Sequence, residues 1–101
     1  MTTLLNRIDG RPDEIAFIKS QPIASRWTDE LRRISEIHPN CKLLRELLRL
    51  DLCTRTVLYP FLLKGWTPRL ISDRLKVSIV TVQKLMEIGR EQLTEKLAPP
   101  R

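Results

Sequence analysis

Histidine occurs once in this chain, at His38 beside a proline, and the sequence carries no glycine-rich phosphate loop, no nucleophile elbow and no paired metal-binding carboxylates. The acidic residues are mostly interleaved with basic ones at helical spacing, as on a solvated face. An enzyme would have to build its site from ordinary side chains, so catalysis is not expected and no catalytic residue is assigned. Cysteine is almost as scarce. Cys41 and Cys53 can be grouped with His38 as three metal ligands, but no CxxC pair and no well-spaced fourth ligand accompany them. No metal and no cofactor are expected, and the thiols read as reduced and buried.

Only three glycines and few aromatic residues are present, against a leucine-rich apolar inventory, which disfavours a sandwich or barrel and favours helices. No uncharged apolar run approaches the ~20 residues needed to span a bilayer, and no basic-apolar-small leader opens the chain, so a cytoplasmic protein without a membrane partner is expected. There is no internal repeat and no low-complexity tract. A chain of 101 residues buries around two thirds of its unfolded surface and forms one core.

Residues 63–85, LKGWTPRLISDRLKVSIVTVQKL, carry the strongest local signals. Gly65 suits a left-handed helix end, and Thr67 followed by Pro68 is an N-cap with proline in the first turn, where its missing N–H costs nothing. The spacing predicts a helix from Thr67 to Leu75 with Leu70, Ile71 and Leu75 on one face and Ser72 small enough for a close neighbour. Ser78 is a second N-cap, behind which Val82, Leu85, Met86, Gly89 and Leu93 recur at helical spacing. About three residues separate the two helices, so they cross steeply, with Val77 and Val82 filling the corner, as in a helix-turn-helix.

The residues Leu70-Ile71-Ser72, Leu75, Val77-Ser78 and Thr81-Val82 resemble the DNA-binding domain of LuxR/FixJ-type regulators and region 4 of sigma factors. A looser similarity, carried by an apolar helix, a glycine and a "T.LS...L.KL" run, links the chain to the N-terminal part of the flagellar regulator FlhC, without a four-cysteine zinc cluster. The resemblance implies a bacterial or mobile-element transcription regulator.

Charge placement agrees with it. Residues 1–40 hold six basic and six acidic side chains; residues 41–101 hold twelve basic and six acidic, the whole net charge of +6. A basic surface supplies sequence-independent affinity for phosphates.

Upstream, Pro12 to Lys19 reads as a short helix with Asp13 and Glu14 in its first turn and Ile15, Phe17 and Ile18 packing, broken at Gln21-Pro22. Residues 25–37 place Trp27, Leu31, Ile34 and Ile37 on one face and end at His38-Pro39. Asn40 is expected to cap a run whose leucines, from Leu43 to Leu52, form a stripe wide enough for a central helix or a dimer interface. In the segment from Cys53 onward Val57, Leu58, Phe61 and Leu62 should face inward, Pro60 should kink or shift the helix, and Trp66 should pack as a staple.

The expected fold is therefore all-α, about five helices with a C-terminal trihelical helix-turn-helix unit. Residues 1–52 supply N-terminal helices and a dimer or partner interface, 53–97 the helix-turn-helix unit and 98–101 a tail. The expected function is sequence-specific binding of double-stranded DNA by a homodimer. Ile79, Val80, Gln83, Lys84 and Glu87 are the base contacts: Gln83 can pair with adenine, Lys84 can reach guanine, and Ile79 or Val80 can cover a thymine methyl. Thr67, Arg69, Arg74, Lys76, Thr81 and Arg90 are the phosphate contacts. The competing expectation is an adaptor or anti-activator that docks on another regulator or on RNA polymerase, since an apolar pair such as Ile79-Val80 suits a protein groove equally well.

Overall fold

A computed structural model describes residues 12–97; the tail expected at 98–101 lies outside the described residues, as do Arg7 and Arg11. Among the described residues there are six helices and no strand: α1 (Pro12–Ser20), α2 (Pro22–Ile37), α3 (Lys42–Arg49), α4 (Leu52–Leu63), α5 (Pro68–Leu75) and α6 (Ile79–Leu97). The count is six rather than about five.

α1 complements its dipole with Asp13 and Glu14 in the first turn and Lys19 in the last. Its apolar anchor is Ile18, fully buried, while Phe17 is left exposed. Pro22 starts α2 rather than merely ending α1, because a proline at the first helical position gives up no hydrogen bond. α2 therefore begins three residues earlier than the apolar spacing suggests. Ala24, Trp27 and Leu31 bury one face. Ile37, expected on that face, is 72% exposed at the last position of the helix.

The leucine run does not form one wide-striped helix. Leu50 is extended, with φ −70° and ψ 156°, and Asp51 caps a new helix by accepting the Cys53 N–H at 3.1 Å. Asn40 is not the cap of α3, whose N-cap is Cys41 without a side-chain hydrogen bond. The split gives each half its own inward face. Leu44 and Leu47 are buried, Leu43, Leu48 and Leu50 pack against the core, and Leu52 is half-buried, so the surface proposed for dimerisation is largely spent inside the molecule. Arg55 closes the break. Its guanidinium donates to the carbonyls of Leu48 at 3.0 Å and Leu50 at 2.7 Å, and to the Thr28 hydroxyl at 3.1 Å, which satisfies the open end of α3 and ties it to α2.

The central helix is instead α4, which packs against each of the other five. Every residue from Thr56 to Pro60 is buried, as befits a helix surrounded on all sides. Val57 and Leu58 face inward as expected, whereas Phe61 is half-buried and Leu62, one residue from the helix end, is exposed. The helix continues through Pro60, and the Pro60 carbonyl accepts both Lys64 N–H and Trp66 N–H around Gly65, whose φ is +71°. Trp66 packs edge-on against Trp27, ring centres 5.5 Å apart, and so joins the α4–α5 corner to α2. One hydrophobic cluster, from Ile18 in α1 to Leu93 in α6, unites all six helices.

Candidate nucleic-acid interface

α5 and α6 are built by their ends. The Thr67 hydroxyl accepts Leu70 N–H at 3.2 Å with Pro68 following, and the helix closes at Lys76, which adopts φ 59° and ψ 44° while Val77 N–H reaches the Ser72 carbonyl. Ser78 then caps α6 by accepting Thr81 N–H at 3.2 Å. The turn between the helices is three residues, Val77 in its corner is buried, the two helices pack together, and Ile71, Ser72 and Leu75 of α5 and Val82, Leu85 and Met86 of α6 are buried. Leu70, expected inward, is 38% exposed, because Ile71 and Leu75 take the face that meets α6.

The residues expected at base edges occupy the outside of the first three turns of α6. Ile79 and Val80 are 37% and 47% exposed, Gln83 and Glu87 are exposed, and Lys84 is half-buried. Lys84 Nζ and Glu87 Oε1 are 3.7 Å apart, an exposed ion pair that costs only a few tenths of a kcal/mol to break, on the order of 0.3–0.5. Gln83, Glu87 and Arg90 also line one groove with Phe61 and Pro68.

Of the phosphate candidates, Thr67, Arg69, Arg74, Lys76 and Arg90 are exposed. Thr67 keeps its O–H proton available to donate. Arg74 lies over the Trp66 ring, 5.2 Å from its centre, a cation–π contact that holds the guanidinium at the α5 surface. Thr81 is misassigned. It is fully buried, and its hydroxyl donates to Glu14 of α1.

That carboxylate is the main feature that sequence reasoning missed. Glu14 Oε2 accepts Ser78 N–H at 2.9 Å, and Oε1 accepts the hydroxyls of Ser78, at 3.0 Å, and Thr81. An anion thus already occupies the positive end of α6, where a phosphate would otherwise be drawn. On the other side of the turn, Gln21 Nε2 donates to the Leu75 carbonyl at 2.8 Å, so the N-terminal helices hold both ends of the α5–α6 junction. No local signal marks Glu14 for this task, since an acidic residue in a first turn reads as a dipole partner for its own helix.

The basic excess is spread more widely than the sequence halves imply. Residues 68–97 hold six basic and four acidic side chains, whereas 42–64 hold five and two. Arg69, Arg74 and Lys76 against Asp73 make α5 and the turn positive; α6 is balanced, with Glu87, Glu91 and Glu95 at four-residue spacing.

Among the described residues no cluster of three metal-ligating side chains exists, and no helix is long and apolar enough to cross a membrane. Cys53 is buried and Cys41 half-buried, both free. Burial, with Asp51 nearby, pushes the Cys53 thiol up to about 11. No family model, curated protein or solved structure matches the chain.

Proposed function

We propose that α4, α5 and α6 form a helix-turn-helix unit that binds double-stranded DNA, with the start of α6 in the major groove, and that the protein is a transcription regulator without enzymatic activity. The observation that carries this reading is the exposed Ile79, Val80 and Gln83, with the half-buried Lys84, on the outside of α6, flanked by the exposed Arg69, Arg74 and Lys76 on α5 and the turn. Phosphate contact falls to α5 and the turn, together with Thr67, because Glu14 fills the end of α6 and Glu91 and Glu95 repel phosphate further along it. Arg90 and Glu87 mark the far edge of the DNA face. Two units on one site require a second copy, since a single recognition helix buries little DNA surface.

Titration of the purified chain with duplex DNA at increasing salt tests the reading. Affinity should fall steeply, with a log–log slope of roughly −0.9 per phosphate contacted. Absence of binding at low salt would refute it and favour the second reading, an adaptor that docks on a regulator or polymerase, to which the exposed Ile79-Val80 pair also lends support.

A further inference from the structure

We propose that the outer face of α6 is an interface for a second copy of this chain, which presents its α2–α3 corner. A groove of about 880 Å³ runs along α6, with Phe61, Pro68 and Met86 as apolar lining and Glu87, Glu91 and Glu95 on the same helix. The carboxylates recur every four residues, about 6 Å apart along the axis. Glu87 is held by Lys84, but Glu91 and Glu95 have no ionic partner among the described residues, in a chain whose net charge is +6. Duplex DNA cannot be their partner, because phosphate carries the same sign.

The complementary surface lies on α3. Lys42, Arg45 and Arg49 are spaced i, i+3 and i+7, which places them on one helix face, and all three are exposed. Lys42 and Arg45 also lack ionic partners among the described residues, and Arg49, with its side chain 75% exposed, reaches Glu46 only at 3.9 Å. The basic row spans about 10 Å and the acidic row about 12 Å. Ile37, the most exposed large apolar side chain in the described chain, stands at the end of α2 just before this row and is the apolar group offered to the groove. Each chain carries both halves, and a two-fold arrangement, in which each chain's α6 meets its partner's α2–α3 corner, satisfies both at once and closes as a dimer. The contact uses Glu91 and Glu95 and leaves Ile79, Val80 and Lys84 outward, but Gln83 and Glu87 line the same groove, so at that end of α6 the second copy and DNA compete.

The test is charge reversal with exchange, read by sedimentation of the full chain at micromolar concentration without DNA. Its failure is therefore separate from failure of the DNA reading. The native chain should self-associate. The double variants Glu91→Lys with Glu95→Lys, and Arg45→Glu with Arg49→Glu, should each associate about tenfold more weakly because like charges then face each other across the contact. An equimolar mixture of the two variants should recover association, since each restores the other's complement. Circular dichroism checks that both remain helical, and the four residues are exposed, so folding should survive. A monomeric native chain, association indifferent to the reversals, or a mixture that fails to recover would each overturn the proposal.

Discussion

Glu14 and Ser78, sixty-four positions apart, meet at the amino-terminal end of α6, where the carboxylate accepts both the backbone N–H and the hydroxyl of the serine. Ser78 in turn accepts Thr81 N–H, and Thr81 donates its hydroxyl back to Glu14. Three side chains thereby satisfy one another and the helix end, with Thr81 fully buried and Glu14 and Ser78 half-buried. Buried groups bonded this way cost most when one member is removed.

Replacing Glu14 by alanine leaves the Ser78 N–H and the buried Thr81 hydroxyl without their acceptor, and should destabilise the protein by about 2 kcal/mol. For a chain of this length the melting temperature should drop by roughly 8–16 °C. Thermal melting followed by circular dichroism checks this, and a change within error would mean that the carboxylate does not hold the junction.

Gly89 predicts a second large effect. A Cβ added there would stand 2.3 Å from Leu58 Cδ1 and 2.6 Å from Thr54 Cγ2, and Leu58 is fully buried, so it has nowhere to move. Helix propensity alone favours alanine over glycine by about 1 kcal/mol. Overpacking should reverse that preference, leaving Gly89→Ala less stable by about 1–3 kcal/mol in denaturant unfolding. A stabilised variant would show that α4 and α6 do not approach so closely.

The ends of α5 and α6 were legible because capping is local: Thr67-Pro68, the three-residue turn and Ser78 act over one helical turn. The inward face of α6 was legible for the same reason, since Val82, Leu85, Met86, Gly89 and Leu93 repeat at one period. The central helix was not. Leucine continues from Leu43 to Leu52 without a pause, and the break at Leu50-Asp51 depends on Arg55, which reaches two carbonyls from α4 and a hydroxyl on α2. A polar residue early in a helix, such as Thr81, is ordinarily exposed, and its burial here goes with a hydrogen bond to a carboxylate sixty-seven residues away.

The cysteines give a prediction in pH. Below about pH 9 Cys53 is a neutral thiol in both folded and unfolded chains; burial raises it to about 11 in the fold, so the folded state retains its proton longer. That contribution to stability is fully present below its ordinary value of 9.0 and is lost as pH rises through about 11, and Tyr59, raised by burial and by its bond to Glu30, acts in the same direction. Between pH 9 and 11 Cys53→Ala should lose about 1–2 kcal/mol less stability than the native chain. In native buffer at pH 8 a thiol reagent should modify the half-buried Cys41 first and spare Cys53 until the protein unfolds. Equal rates at the two cysteines would contradict this burial.

Base reading and phosphate positioning fall to different side chains, Gln83 and Arg69. Gln83 sits on the exposed face of α6 with no hydrogen bond to its amide among the described residues, whereas Arg69 is an exposed cation on the first turn of α5. A site selected from random duplexes supplies the cognate sequence. Against it, Gln83→Ala should lose about 1–3 kcal/mol while binding to random DNA stays level, since an amide lost from an adenine edge removes only sequence-dependent energy. Arg69→Ala should weaken both duplexes equally and reduce the salt slope by about one unit, the signature of a lost phosphate contact. Both side chains are exposed and neither enters the core, so melting temperatures should stay near that of the native chain. Equal losses on both duplexes for Gln83→Ala would move it to the backbone-contacting set, and a loss confined to the cognate site for Arg69→Ala would place α5, rather than α6, in the groove.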